Sequence, residues 1–160
     1  MTDVLTAAQR QLNMSRIKGK DTKPEMLVRK GLHSCGLRFR LHDRKLPGHP
    51  DLVFPRYGAV VFVHGCFWHA HGCALSKLPR TRQDFWEAKL EANAQRDRKA
   101  TEALLAAGWR VLIVWECALR GPSRIGSRAM VEQAAAFIRI GSAQHQQLAG
   151  RETPAKQGRT

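Results

Sequence analysis

The sequence has no hydrophobic run long enough to cross a membrane. Its most apolar stretch, residues 109–115, is short and contains Arg110, whereas a transmembrane helix needs about 20 apolar residues. No apolar leader follows Met1 either, so we expect a soluble, cytoplasmic protein. Internal repeats are also lacking, and a chain of 160 residues fits one domain around a single hydrophobic core.

Acidic residues are scarce, because 13 Asp and Glu residues stand against 27 Lys and Arg residues and give a net charge of +14. A surplus of this size repels itself unless a polyanion relieves it, and nucleic acid is the polyanion that we expect. Basic clusters often serve only to keep a surface soluble, and membrane or RNA binding would give the same charge. The charge therefore indicates an anionic partner without identifying it.

Cysteine is uncommon as well, with four residues in the chain. Without a route to an oxidising compartment, reduced thiols or metal thiolates are favoured over disulfides. Cys66, Cys73 and Cys117 offer three sulfur ligands for a tetrahedral zinc ion. His69 or His71 could supply the fourth ligand, and the spacing does not choose between them. The alternative is that these cysteines are ordinary buried thiols.

Strands and helices alternate along the sequence, which predicts an α/β domain with a mixed central sheet flanked by helices. Nearly continuous apolar runs at 59–63 and 109–115 are typical of strands buried on both faces. Residues 65–80 lack helical spacing, and we assign them to a loop organised by metal. The remaining predicted elements are strands at 37–41 and 51–54, helices at 26–35 and 127–138, and a long helix that a capping box at 81–84 opens and Gly108 ends.

Composition divides the chain into three parts. Residues 1–21 are polar without sustained periodicity and are interpreted as an arm, although Met14 and Ile17 could line one side of a short helix. A capping box at 22–25 begins the main domain, which we assign to residues 22–140. Residues 141–160 are basic and rich in Gln and Gly, and we expect them to form a disordered tail.

A carboxylate and two histidines form a candidate hydrolytic site. Asp51 opens an apolar run and can bind Mg²⁺, which prefers oxygen ligands and would assist attack on a phosphodiester. His64 and His69 could transfer protons near neutral pH, and Glu25 could orient one of them. Simpler interpretations exist for three of them: a turn residue for Asp51, a core histidine for His64 and a capping-box member for Glu25.

Aromatic residues adjoin the candidate zinc ligands. Phe67 and Trp68 lie between the cysteines, and Trp86 lies near the start of the following helix. A rigid metal loop could hold such rings against unstacked bases. Core packing is the alternative, particularly for Trp86 on an apolar helical stripe, and Trp109 and Trp115 are interpreted as core residues.

A set of ordered motifs spans most of the chain from the first helix to Arg120. They are LPGHPD at 46–51, HGCFWH at 64–69, RTR at 80–82 with FW at 85–86, RDR at 96–98, and GWRVLIVWECALR at 108–120. These motifs resemble those of the very-short-patch-repair (Vsr) DNA mismatch endonucleases. So many segments in one order are far more specific than any single motif.

The resemblance implies a restriction-endonuclease-like fold with structural Zn²⁺ and Mg²⁺-dependent cleavage. The implied substrate is double-stranded DNA with a T:G mismatch, which arises when 5-methylcytosine deaminates. The implied reaction is a nick 5′ of the thymine that initiates short-patch repair. We accordingly expect a bacterial, nucleoid-associated monomer, with other mismatch-repair proteins as candidate partners.

The resemblance also implies roles for individual residues. The implied Mg²⁺ ligand is Asp51, and the implied general base is His69. His64 and Glu25 are the implied supporting groups. The implied zinc ligands are three cysteines and one histidine: Cys66, His71, Cys73 and Cys117. Phe67, Trp68 and Trp86 are implied to wedge beside the mismatch. Met14 and Ile17 of the arm are implied to approach from the other groove.

One departure concerns the metal site. The acidic-x-lysine element of many restriction-type nucleases is absent after the central strand, where Phe62, Val63 and His64 stand instead. The backbone carbonyl of Val63 could still bind the metal. Two other functions remain open: a related nuclease with a different sequence preference, and a zinc-organised DNA-binding module, which would need neither Asp51 nor His69.

Overall fold

The computed structural model describes residues 6–9 and 20–151, and its main elements form a five-stranded sheet with helices packed against it. The main helices are α1 (Lys23–Ser34), α2 (Gln83–Ala106) and α3 (Ser127–Ile140). The strands are β1 (Arg40–Leu41), β2 (Leu52–Phe54), β3 (Ala59–His64), β4 (Arg110–Trp115) and β5 (His145–Leu148). Within the described residues, we find no helix that combines the length and hydrophobicity needed to span a bilayer.

The sheet is mixed, as predicted. Its strand order is β1-β2-β3-β4-β5, with β1, β2 and β3 antiparallel and β3, β4 and β5 parallel. The helices α2 and α3 provide the crossovers that parallel neighbours require. His64 pairs with Trp115 at the carboxyl ends of β3 and β4, and ligands commonly bind at this end of parallel strands.

The central strands are buried because both faces of the sheet are covered. Val61 and Leu112 belong to the hydrophobic cluster that includes α1 and α3. Val60 and Val111 belong to a second cluster with Leu104 of α2. Successive residues of a strand point to opposite faces, which accounts for the unbroken apolar runs in the sequence.

The two predicted capping boxes have different outcomes. At the start of α1, Thr22 Oγ1 accepts the N–H of Glu25 at 3.4 Å, so the predicted start of this helix is confirmed. The box predicted at 81–84 is wrong, because α2 begins at Gln83 and its cap residue is Arg82. Arg82 has a φ of +57° and no side-chain acceptor for the first helical N–H groups.

The prediction of a disordered tail from residue 141 is wrong for the segment that forms β5. Its sequence HQQL shows no apolar alternation, and Leu148 is its one buried residue. Backbone pairing with β4 therefore orders this edge strand, together with a hydrogen bond of 2.8 Å from Trp115 Nε1 to Gln147 Oε1. Residues 152–160 of the predicted tail, and Met14 and Ile17 of the predicted arm, lie outside the described residues.

Candidate active site and thiolate cluster

Asp51 lies immediately before β2, against the backbone of β3. The Val63 N–H donates to Asp51 Oδ2 at 2.7 Å. Burial raises the pKa of Asp51 to about 8, the Val63 hydrogen bond opposes this rise, and the neighbouring Glu25 adds to it. A divalent cation would supply the positive charge that this buried carboxylate lacks.

Glu25 is 2% exposed and lies next to Asp51. Its Oε2 accepts the backbone N–H of Asp21 at 2.6 Å, and its Oε1 is 2.7 Å from His42 Nε2. The capping-box interpretation is thus partly correct, since Thr22 caps the helix but the Glu25 carboxylate reaches Asp21 instead of Thr22. Glu25 therefore belongs to the helix start and to the surroundings of Asp51 at once.

The rings of His64 and His69 stack in parallel, with centroids 3.8 Å apart and an angle of 4° between the planes. His64 is buried at the end of β3, and its Nδ1 has no hydrogen-bond partner among the residues that the structure describes. Burial, with a further contribution from His69, lowers the pKa of His64 to about 3, so its ring is neutral at physiological pH. A buried nitrogen without a partner is suited to bind a water molecule or a substrate atom.

Asp97 is a site residue that the sequence analysis did not single out. Its Oδ2 is 2.6 Å from His69 Nδ1. A carboxylate on one ring nitrogen fixes the tautomer and leaves Nε2 as the acceptor. Asn93, Asp97 and Thr101 recur every fourth residue on α2 and line the same cleft, and this spacing was the available signal. In the sequence Asp97 lies between Arg96 and Arg98, and such a run of charges is typical of a solvent-exposed helix surface.

One cleft of about 590 Å³ brings three of the four candidate catalytic residues together. Asp51, His64 and His69 all line it. The cleft lies between the carboxyl end of β3 and the face of α2 that carries Asn93 and Asp97. A nucleophile, a proton acceptor and a cation bound to Asp51 could therefore meet in one space.

Four side chains form a separate cluster outside this cleft, which we call the thiolate cluster. The ligand atoms of Cys66, His71, Cys73 and Cys117 all lie within 4.8 Å of one another. Three sulfurs with one imidazole are a common donor set of structural zinc. The other histidine candidate, His69, points its Nδ1 at Asp97 instead.

Two of the sulfur atoms accept hydrogen bonds from backbone N–H groups. The N–H of Cys117 donates to Cys66 Sγ at 3.3 Å, and the N–H of Gly150 donates to Cys117 Sγ at 3.2 Å. Burial raises the pKa of the Cys66 and Cys117 thiols. A bound metal ion would reverse this effect, because a coordinating thiol is deprotonated. The residues present therefore fit a zinc ion.

Trp115 lies between the thiolate cluster and the cleft. Its ring stacks on His71 with centroids 4.2 Å apart, and it contacts His64 edge-on at 5.2 Å. The residue is 7% exposed, as expected for a core tryptophan. The same ring thus packs in the core and lies between His71 on one side and His64 and His69 on the other.

Phe67, Trp68 and Trp86 form one aromatic cluster. The centroids are 5.1 Å apart for Phe67 and Trp68, 5.6 Å for Phe67 and Trp86, and 6.0 Å for Trp68 and Trp86. All three residues are partly exposed, so none is a fully buried core residue. Lys89 Nζ lies 5.7 Å from the centroid of the Trp68 ring and 5.6 Å from that of Trp86. Aromatic faces beside a cation suit the bases and phosphates of nucleic acid.

Comparisons with known proteins show which family the chain resembles. A family model described as DNA mismatch endonuclease Vsr matches residues 2–75. The chain is 53% identical over 119 residues to the Type II nicking enzyme V.XorIIP of Xanthomonas oryzae pv. oryzae, which covers 74% of this chain and 88% of that protein. It is 46% identical over 138 residues to the DNA mismatch endonuclease Vsr of Escherichia coli, which covers 86% of this chain and 88% of that protein.

Identity at this level extends over most of each protein. The five-stranded mixed sheet with its flanking helices also agrees with the restriction-endonuclease-like fold that the motifs predicted. The chain therefore belongs to the Vsr family of DNA mismatch endonucleases.

Proposed function

We propose that this chain is a monomeric, magnesium-dependent mismatch endonuclease that nicks one strand of double-stranded DNA 5′ of the thymine of a T:G mismatch. Such mismatches arise when 5-methylcytosine deaminates, and the nick would initiate short-patch repair. The observation that carries the proposal is the single cleft lined by Asp51, His64 and His69. A relative at 46% identity is named a DNA mismatch endonuclease, which supports the same reaction.

Asp51 and the backbone carbonyl of Val63 would hold the magnesium ion. Magnesium prefers carboxylate, carbonyl and water oxygens, and the Val63 backbone lies against the Asp51 carboxylate. When bound, the ion supplies a Lewis acid that stabilises the negative charge developing on the phosphate. Glu25, buried beside Asp51, would support this ligand without touching the DNA.

His69 would act as the general base. With Nδ1–H donating to Asp97, Nε2 can accept a proton from the water molecule that attacks the phosphorus atom. Asp97 would then stabilise the imidazolium that forms. His64 stacks on His69 and fixes its ring plane, and because His64 is neutral it does not repel the newly charged ring.

A structural zinc ion held by Cys66, His71, Cys73 and Cys117 would fix the loop between β3 and α2. This loop carries His69 together with Phe67 and Trp68. The zinc ion would thereby fix the position of the general base relative to the aromatic cluster.

The aromatic cluster would recognise the weakened base pair. Phe67, Trp68 and Trp86 would insert beside the mismatch, where unstacking costs a few kcal/mol that new stacking and wrapping contacts offset. The arm would approach the other groove through Met14 and Ile17. A net charge of +14 would hold the protein on the phosphate backbone before the mismatch is found.

Strand-specific nicking of labelled duplexes tests the proposal. The substrates are a duplex with one T:G mismatch and a matched T:A duplex, each labelled on the thymine strand. We expect the wild-type protein with zinc and magnesium to nick the T:G duplex once, and Asp51→Ala to be slower by about 10³-fold or more because its metal ligand is lost. Glu132→Ala, an exposed acid on α3, is the matched control.

Each contrary outcome points to a different alternative. Equal nicking by the wild type and Asp51→Ala would refute the metal role of Asp51. Binding without cleavage by either protein would favour a zinc-organised DNA-binding module. Cleavage of the T:G and T:A duplexes alike would favour a related nuclease of other specificity.

A further inference from the structure

His42 lies between β1 and β2 and contacts two carboxylates at the cleft, the buried Glu25 and the partly buried Asp51. Its Nε2 is 2.7 Å from Glu25 Oε1 and 3.9 Å from Asp51 Oδ1. Its backbone N–H also donates to the carbonyl oxygen of Asp51 at 3.1 Å. One residue therefore ties Glu25 through its ring and Asp51 through its backbone.

The backbone of His42 has an unfavourable conformation. Its φ is +47°, in the left-handed region that residues other than glycine seldom adopt. Residues keep such conformations where the surrounding contacts fix them, and they cluster at functional sites. The contacts that fix His42 are the hydrogen bonds to Glu25 and Asp51.

The contacts around Glu25 argue against a further metal ion at this place. Asp21, Glu25 and His42 are close enough to hold one. However, Arg29 Nη1 already lies 2.6 Å from Asp21 Oδ1 and 3.6 Å from Glu25 Oε2. A guanidinium thus supplies the positive charge, and His42 is the hydrogen-bond partner of the remaining oxygen, Oε1.

We propose that His42 is a positioning residue of the metal site, which holds Glu25 Oε1 and so keeps the Asp51 carboxylate available to a divalent cation. The inference rests on the proposed role of Asp51 as the magnesium ligand. Glu25 lies beside Asp51, and its contact of 2.7 Å with His42 Nε2 holds its carboxylate in place, so the Asp51 oxygens stay free to contact a cation. Without the His42 side chain, Glu25 Oε1 loses its hydrogen-bond partner. The Glu25 carboxylate is then free to move relative to the neighbouring Asp51 carboxylate.

Three substitutions separate the hydrogen bond from the backbone conformation. His42→Gln keeps an N–H donor that can reach Glu25. His42→Gly removes the side chain and suits the positive φ, and His42→Asn also tolerates this φ but is too short to reach Glu25. His33→Gln, which changes an exposed histidine of α1, is the matched control.

The magnesium dependence of nicking is the first readout. We expect His42→Gly and His42→Asn to raise the magnesium concentration for half-maximal nicking about tenfold or more, as loss of groups that support metal ligands does elsewhere. The KM for the T:G duplex should stay within about twofold, because His42 acts on the metal ligand and not on the DNA. His42→Gln should stay within about threefold of the wild type, since its donor is retained.

Binding of Mn²⁺ to the zinc-loaded protein, followed by the EPR signal of the free ion, is the second readout and needs no catalysis. We expect the affinity to fall in His42→Gly and His42→Asn by the same factor as in the nicking assay, with Asp51→Ala as the baseline for lost binding. Unchanged magnesium requirement and Mn²⁺ affinity in both variants would overturn the inference. Equal impairment of His42→Gln would overturn it as well, because the donor would then be irrelevant.

The two proposals fail in distinguishable ways. If Asp51→Ala still binds Mn²⁺ and nicks DNA, the proposed function of Asp51 is wrong. If Asp51→Ala is inactive while His42→Gly and His42→Asn behave as the wild type, only the role of His42 is wrong.

Discussion

Three polar side chains at or beside the cleft are each held by a second residue. Asp97 holds His69, His42 holds Glu25, and the backbone of Val63 holds Asp51. Partners of this kind fix the orientation of a group before the substrate binds. The side chains then need no reorganisation during the reaction. The residues that hold the proposed catalytic groups are therefore as informative to mutate as those groups themselves.

Asp97→Asn tests this arrangement on His69, the proposed general base. We expect kcat for nicking to fall about 10- to 100-fold, because an amide can neither select the His69 tautomer nor stabilise its imidazolium. KM for the duplex should stay nearly constant. Steady-state nicking at varied duplex concentration measures both, with Asp84→Asn on the exposed start of α2 as the control. Weaker DNA binding at an unchanged kcat would contradict the role.

The raised pKa of Asp51 gives a pH-dependent prediction for the metal-free cleft. Its pKa rises from an ordinary value of 3.8 to about 8, so between these limits the folded protein holds a proton that the unfolded chain has released. This contribution to stability is complete below the unfolded pKa and is lost as the pH rises through the folded pKa. Asp51→Asn lacks the contribution.

The stability of the wild type relative to Asp51→Asn should therefore fall as the pH rises through this window, by up to about 1.4 kcal/mol for each pH unit. Urea unfolding at about pH 5.5 and about pH 8, with zinc retained and magnesium absent, measures the two free energies. A difference that is constant, or that grows in favour of the wild type, would contradict the raised pKa.

Some site residues could be predicted from the sequence and others could not. Asp51, the histidines and the cysteines stand out because their types and spacing are unusual for a loop beside a buried strand. Asp97 is 28 residues from His69, and His42 is 17 residues from Glu25. Their roles come from contacts that only the folded chain creates. The spacing of Asn93, Asp97 and Thr101 could place Asp97 on one helix face, but it could not identify His69 as its partner.

At the scale of elements, the helices α1 and α3 pack so closely that one glycine is required. A Cβ atom added to Gly31 would lie 2.2 Å from Val131 Cγ2. We expect Gly31→Ala to destabilise the protein by about 1–3 kcal/mol through overpacking, although alanine favours a helix. The double variant with Val131→Ala should recover much of this loss, because the shorter side chain makes room. Urea unfolding measures both, and a stabilising Gly31→Ala would contradict the close packing.

Periodicity predicted the helices and central strands because those elements bury apolar faces. The sequence did not predict the edge strand β5, because backbone pairing with β4 orders it. Such pairing does not require a pattern of apolar side chains. The start of α2 was misplaced by one or two residues for a related reason, since no side-chain cap fixes it.

At the scale of the whole molecule, the thiolate cluster joins three distant segments. Cys66, His71 and Cys73 follow β3, Cys117 follows β4, and Gly150 after β5 donates to Cys117 Sγ. A metal ion at this place would connect the edge of the sheet with the loop that carries His69. The fold class and family were predictable because many ordered motifs agreed, whereas this connection to the end of β5 was not.

Removal of the metal should therefore affect stability and activity together. We expect a strong chelator, or Cys73→Ser, to lower the Tm by roughly 10 °C or more, because a structural zinc site contributes several kcal/mol. Nicking of the T:G duplex should be lost at the same time. Calorimetry with metal analysis provides the measurement, and Cys35→Ser, outside the cluster, is the control. Full activity in protein shown to be free of zinc would contradict the structural role.

The most direct test concerns the cation that Asp51 is proposed to bind. Anomalous diffraction from crystals of the protein with a T:G duplex and Mn²⁺ would locate the ion without reference to activity. The prediction is a peak within about 2–2.5 Å of an Asp51 carboxylate oxygen and of the Val63 carbonyl oxygen, adjacent to the phosphate on the 5′ side of the thymine. A phosphate in the cleft with no anomalous peak at Asp51, or a peak bound only by other residues, would contradict it.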